Sequence, residues 1–309
     1  MIAMKLDKGD RIGVVSSSTP VPPGDLQFNK GVRFLEDMGF RITLGKHVFS
    51  NTLGYAASPQ EKAEDINNMF ADKSIKAIVC SQGGSTANAC LPYLDWDVIK
   101  ENPKVFLGIS DITVLLNAIY AKTGLVTFHG NDVMWGFGRD PTPYDVQEFV
   151  SRLMEAEIGK VNANGKRETI RSGVVEGRLL GGNLKCLLKL AGTPYFPDFT
   201  ASVLFVESIE ITPEECDYQF HQLKQIGVFD QVQGVIVGYI DGLDNKADEP
   251  LKMQDVLLTV TSEYRFPILK ANDFGHNCPN TTLPVGAKVR VEADKQEIEI
   301  LEECVGTIL

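Results

Sequence analysis

Residues 105–129 read Val105-Phe106-Leu107-Gly108-Ile109-Ser110-Asp111, then Ile112-Thr113-Val114-Leu115-Leu116-Asn117-Ala118-Ile119-Tyr120-Ala121, then, past Gly124, Leu125-Val126-Thr127-Phe128-His129. The short apolar run Val105–Leu107 suits a buried strand. The stretch 112–121 has the length and apolar spacing of a helix, Gly124 is its stop, and 125–128 is the next strand. Strand, helix, strand over so short a span describes two parallel strands joined by a right-handed crossover.

Upstream the same alternation repeats. Residues 11–15 read as a strand. Residues 25–38 read as a helix ending at Gly39, and residues 41–44 as a second strand. Ser58-Pro59-Gln60-Glu61 has the pattern of a capping box, opening a helix that runs to about Phe70. Residues 76–80 form a third strand. This repetition predicts a parallel sheet with helices on both faces, and such sheets bind ligands at the carboxyl ends of their strands. Downstream, 131–171 reads as a connection with one helix near 146–155. A second unit follows, with strands at 174–180, 203–206, 234–239 and 267–270, and helices at 213–225 and 253–263. A closing hairpin spans 288–291 and 297–301 around Asp294-Lys295. The fold class is therefore α/β in two domains, an N-terminal parallel sheet with flanking helices and a C-terminal mixed, β-rich domain. The expected divisions are 1–140, a linker at 141–170, and 171–309.

The chain has 309 residues, with 30 basic against 41 acidic side chains and a net charge of −11. Such a surface repels phosphate backbones, so nucleic acid and anionic membrane are excluded as partners. The first ten residues lack an apolar core of the secretory kind, and nowhere do roughly 18 apolar residues run together. A cytoplasmic location is expected. The six cysteines are far apart, with no ligand pair at zinc spacing, and read as small buried apolar residues. No metal or other cofactor is expected.

Three strand ends carry polar residues. After residues 77–80 come Ser81-Gln82-Gly83-Gly84-Ser85, where paired glycines let backbone amides face open space, as an anion or oxyanion cradle or as a plain tight turn. After 105–107, Gly108 permits a sharp turn that stands Ser110 at a helix N-terminus, with the Asp111 amide beside it. Ser110 then reads either as a nucleophile or as a helix cap. After 203–206, Glu207 ends an apolar strand, where a carboxylate needs a partner.

A serine nucleophile needs a base, and four histidines compete. His47 lies in a polar segment and reads as a surface residue. His221 lies inside a helix and reads as structural. His129 ends a strand near the site, and His276 sits in the shaped loop Asp273-Phe274-Gly275-His276-Asn277-Cys278-Pro279. Between these two the residues decide nothing.

Four segments together tip the balance. They are Gln82-Gly83-Gly84 with Ala87-Asn88 and Leu91-Pro92-Tyr93-Leu94-Asp95; Pro103-Lys104 with Gly108-Ile109-Ser110-Asp111; Glu176-Gly177-Arg178-Leu179-Leu180-Gly181-Gly182-Asn183-Leu184; and Phe274-Gly275-His276 with Thr282-Leu283-Pro284-Val285-Gly286. In this order the set resembles the LD-carboxypeptidase family of serine peptidases, within it the branch of microcin C self-immunity peptidases. The resemblance implies a Ser110–Glu207–His276 triad. It places oxyanion donors at the Gly84 and Asp111 amides, with Gly83, Ser85 and His129 near the substrate. It also implies a Rossmann-like first domain, a homodimer, and a small peptide or peptidyl-nucleotide substrate. That substrate is either murein tetrapeptide, losing its terminal D-Ala, or an aminoacyl-nucleotide antibiotic. The chain departs from the pattern at Ser208, where many relatives carry a second acid, and at His129, where the immunity branch tends to carry Tyr. No Trp occurs in 140–170, where the immunity branch is expected to stack a nucleobase, which weighs against a strict nucleotide-peptide substrate. A hinged, non-catalytic small-ligand binder and an enzyme using Gly83-Gly84 to hold a nucleotide phosphate are the rival readings.

Overall fold

The computed structural model describes residues 1–307. Two sheets form the molecule. The first runs, edge to edge, Leu283–Val285, Thr127–His129, Val105–Gly108, Ile75–Cys80, Arg11–Val15 and Arg41–Leu44. The five strands from the first half of the chain are parallel. All four residues of Val105–Gly108 are buried, as are the last four of Ile75–Cys80. Such strands are covered on both faces, and this is why they read as continuous apolar runs.

The helices begin and end where the local chemistry requires. Asp25 caps Leu26–Asp37 by accepting from the Phe28 amide, and Gly39 leaves the helix at φ 103°. Ser58 and Glu61 cap Pro59–Ala71 reciprocally. Thr113–Thr123 stops at Gly124, which takes the left-handed conformation at φ 73°.

The second sheet runs Gly159–Lys160, Glu297–Ile300, Lys288–Glu292, Val174–Asn183, Ser202–Ser208, Gly234–Ile240, Ile268–Gly275 and Arg167–Arg171. Its four central strands are parallel and its flanks antiparallel. The helices Pro213–Gln225 and Met253–Val260 pack against one another beside it. The architecture is the expected two-part α/β fold with a mixed second sheet. No helix among the described residues is long and apolar enough to cross a membrane.

The two parts are more entangled than the reading of a linker at 141–170 implies. That segment supplies Gly159–Lys160 and the first residues of Arg167–Arg171, the two outer strands of the second sheet. Its polar stretch is polar because Arg167 Nε donates to the buried Asp273 at 2.6 Å and the Asn164 amide donates to the same carboxylate at 2.7 Å. In return, Leu283–Val285 crosses back and pairs antiparallel with Thr127–His129, closing the edge of the first sheet. Ala3–Met4 pairs with Val305–Gly306.

The parts meet at a seam made by glycine. Asn117 Nδ2 donates to the Gly181 carbonyl at 2.8 Å, its Oδ1 accepts from the Gly181 amide at 3.2 Å, and the Asn183 amide donates to Thr113 Oγ1 at 2.9 Å. Helix 113–123 thus lies directly on strand 174–183. A Cβ at Gly181 would stand 1.9 Å from the Phe205 carbonyl oxygen, and one at Gly182 would stand 2.4 Å from Thr113 Oγ1. Gly181→Ala is therefore expected to cost about 3 kcal/mol or more in urea unfolding. Gly124→Ala, whose Cβ would meet open space, should cost only about 1 kcal/mol for its positive φ.

Candidate functional site

Strand Val105–Gly108 delivers Ser110 into a turn that no ordinary residue takes without cost, at φ 64°. Gly108 makes the turn possible, since a Cβ there would lie 2.7 Å from Ile112 Cγ2. The helix that follows has no side-chain cap, so neither Ser110 nor Asp111 serves as one. Asp111 is turned away from the cavity and is completely buried. Burial alone would raise its pKa, but donors from Lys189, Ser18 and the Ala87 amide hold it below the usual carboxylate range. That network fixes the backbone on which the Ser110 hydroxyl stands.

The glycine pair after Ile75–Cys80 sits against this turn. A Cβ at Gly83 would lie 2.6 Å from Ser110 Cβ and 2.8 Å from its Oγ. Gly84 has φ 142°, and its Cβ would lie 2.1 Å from Thr19 Oγ1. Only glycine fits at either position. Neither the Gly84 amide nor the Asp111 amide makes a backbone hydrogen bond among the described residues, so both remain available as donors.

Strand Ser202–Ser208 brings Glu207, wholly buried, to the same region. Gly275 ends the strand Ile268–Gly275 at φ 139°, and a Cβ there would lie 2.4 Å from the Tyr239 carbonyl. His276 comes next, and its Nδ1 meets Glu207 Oε2 at 2.6 Å. Burial would depress the imidazole pKa, but the Glu207 charge and hydrogen bond outweigh it and raise it above 6.5, with Asp132 and Asp241 adding. For Glu207, burial works upward and the two histidines more than offset it, leaving the carboxylate well below its ordinary range.

Ser110, Gly83, Gly84 and His276 line one cavity of about 750 Å³. Ser110 and His276 both line it, without a hydrogen bond to each other among the described residues. The cavity also takes in residues that spacing along the chain did not flag: Asp132, Trp135, Arg139, Asp145 and Asn280. The one available signal was an aromatic and a cation shortly after a strand end. A strained serine turn, two free amides able to receive an oxyanion and a carboxylate-held imidazole can together support acyl transfer. Among the described residues, no three His, Cys, Asp or Glu side chains are grouped to hold a metal ion.

Several expected site residues stand elsewhere. His129 does not line the cavity. It is fully buried behind Glu207, with its Nε2 3.9 Å from Glu207 Oε1 and its ring against the edges of Phe205 and Phe274. The cause is the returning strand, which pairs Leu283 with His129 and covers it. Ser85 is exposed outside the cavity, and its carbonyl accepts from Lys189. His47 is not a surface residue but nearly buried, its ring nitrogens held by Ser50 and Glu64 at 3.1 and 3.0 Å. His221 is half exposed on its helix, 3.7 Å from Asp217.

Residues 12–130 match the LD-carboxypeptidase N-terminal domain and residues 176–291 the LD-carboxypeptidase C-terminal domain. The chain is 32% identical to the microcin C7 self-immunity protein MccF of Escherichia coli, over 99% of this chain and 97% of that one. It is 33% identical to a probable murein peptide carboxypeptidase of Bacillus subtilis, over 92% and 89%. The solved structure of MccF in complex with glutamyl sulfamoyl guanosine superimposes with a TM-score of 0.92 at 31% identity, covering 99% of both chains.

The His276–Glu207 pair makes a prediction that needs no substrate. NMR titration should give His276 a pKa above 6.5. In Glu207→Gln the partner charge is gone while burial remains, so the pKa should drop below the wild-type value by about 1 unit or more.

Proposed function

Since the chain belongs to the LD-carboxypeptidase family, we propose that it is a serine peptidase that cleaves the L-to-D amide of murein tetrapeptide and releases the terminal D-Ala. The observation that carries this reading is the Ser110 turn. Its backbone is strained, its side chain caps no helix, and it lines the same cavity as His276.

In the proposed reaction His276 Nε2 takes the Ser110 proton as Oγ attacks the carbonyl carbon before D-Ala. The Gly84 and Asp111 amides receive the oxyanion, and one such donor is worth roughly 3 kcal/mol of barrier. Glu207 holds Nδ1–H, keeping Nε2 as the acceptor, and stabilises the imidazolium. The tetrahedral intermediate collapses, the C–N bond breaks, and His276 gives its proton to the departing amine. A water, deprotonated by His276, then attacks the acyl-serine. The tripeptide leaves as an acid and Ser110 recovers its proton. On this reading the enzyme works in the cytoplasm as a homodimer, and sedimentation velocity tests the oligomeric state directly.

A second substrate class has one observation in its favour. The cavity holds an exposed indole, Trp135, although 140–170 has none, and an indole can stack a nucleobase. Hydrolysis of an aminoacyl-sulfamoyl adenosine is the corresponding assay.

The deciding experiment is mass spectrometry of murein tetrapeptide incubated with wild type and Ser110→Ala. Loss of one D-Ala with wild type alone is expected; equal cleavage by both proteins would remove Ser110 from the chemistry. Gly83→Ala should cut kcat by about a hundredfold or more by displacing the hydroxyl while leaving the fold intact. Because His276 must be neutral to act as base and its pKa is raised, kcat/KM should fall as pH drops through a value above 6.5. Glu207→Gln should move that acid limb to lower pH and lower kcat by about a hundredfold or more.

A further inference from the structure

A carboxypeptidase must recognise a free carboxylate, and an anion entering this cavity meets an acidic surface. Asp132, Asp140, Asp145 and Glu210 all line it, and among the described residues Arg139 is the only Lys or Arg that does. Three of the acids are already engaged. Asp132 accepts from the Trp135 and Gly136 amides, Asp140 pairs with Lys30 at 2.6 Å, and Asp145 accepts from Asn131 and the Asn280 amide. None of them pairs with Arg139, which has no carboxylate within 4.0 Å among the described residues.

Arg139 is nonetheless held in place. Its Cζ lies 4.7 Å over the Trp135 ring, and its Nη1 donates to Asn277 Oδ1 at 2.7 Å. The indole is itself fixed, since Trp135 Nε1 donates to Gln82 Oε1 at 3.0 Å and Gln82 Nε2 donates to the Pro20 carbonyl at 3.0 Å. Gln82 precedes the Gly83-Gly84 cradle and Asn277 follows His276, so one chain of contacts ties this guanidinium to both sides of the reacting centre. A guanidinium carries five N–H donors in a planar fork, and only one is used here. A stacked, preorganised fork with its charge unpaired is suited to a carboxylate, which it takes in two parallel hydrogen bonds.

We propose that Arg139, stacked on Trp135 and steadied by Asn277, binds the terminal carboxylate of the peptide substrate. This rests on the carboxypeptidase reading and names its carboxylate subsite. The role is one of binding and specificity, so its signature is in KM and in the preference for an acid terminus, not in the pH profile of kcat.

The test measures binding without turnover. In the Ser110→Ala background, calorimetry would compare murein tetrapeptide with its C-terminal carboxamide, each with Arg139, Arg139→Gln and Arg139→Lys. Cleavage by the enzyme with Ser110 intact, followed separately, reports the proposed function. With Arg139 the acid should bind about tenfold or more tighter than the amide. Arg139→Gln should erase that preference, and Arg139→Lys should restore part of it, since a point charge survives without the fork. If Arg139→Gln keeps the wild-type preference, or neither peptide binds, the assignment falls. If cleavage persists while the preference is untouched by Arg139→Gln, the subsite is wrong and the carboxypeptidase reading stands.

Discussion

One buried carboxylate stands where the two halves of this molecule meet, between His276 of the second sheet and His129 of the first. Glu207 has no solvent exposure, and an unpaired charge in such a place costs several kcal/mol. One oxygen is bound by His276 from the end of the second sheet. The other faces His129 from the end of the first, at 3.9 Å and without a hydrogen bond. The charge is paired within the second sheet by His276, while the first sheet contributes the buried His129 ring that shields the other oxygen from water. The seam beside it joins the two halves: Asn183, opposite Glu207 in the strand register, is anchored through Thr113 on the helix that follows Ser110. The asymmetry between the two histidines also has a consequence. Both ring nitrogens of His129 lack partners, so a closer approach of about 1 Å would let it compete for the carboxylate that orients His276. The tight glycine packing of the seam resists such a shift.

Much of this was legible from local chemistry. Asp25, the Ser58–Glu61 box, Gly39 and Gly124 mark helix ends through interactions within four residues of themselves. The buried strands announced themselves because both faces are covered. What sequence could not reveal were the pairings that act across long separations. Leu283–Val285 is only three residues long and contains a proline, so it carries no strand signal of its own, yet it closes the first sheet. Its position also explains why His129 and His276 were inseparable at the sequence level. Both end strands near the site, and only the returning strand buries one and leaves the other open.

The site shows the same division. Gly83-Gly84 was visible as a cradle, but the steric reason for each glycine lies in Ser110 and Thr19, 27 and 65 residues away by number. Ser110 remained ambiguous between nucleophile and cap because both roles place a serine at a helix start. The uncapped helix resolves that ambiguity against the cap. Arg139 and Trp135 fall in a stretch read as connection, and their meaning depends on Gln82 and Asn277, which no spacing rule brings together.

The path of the chain between His276 and Leu283 bears on how the cavity can move. His276 leaves the second sheet at Gly275, and seven residues later the chain is a strand of the first. Between them Asn280 is bonded to Asp145 and its side chain accepts from the Gly275 amide, while Thr281 Oγ1 donates to the buried Glu148 at 2.6 Å. A strap this short and this fully bonded fixes His276 to both sheets. A hinged binder that opens by swinging its two halves apart would have to break the strap, unzip Leu283–Val285 and uncover Glu207. The fold thus argues against the hinge reading on mechanical grounds. The segment that lines the rest of the cavity is held as firmly, since the Val133 and Met134 amides donate to the Cys80 and Ser81 carbonyls and so tie the stretch bearing Trp135 and Arg139 to the first sheet.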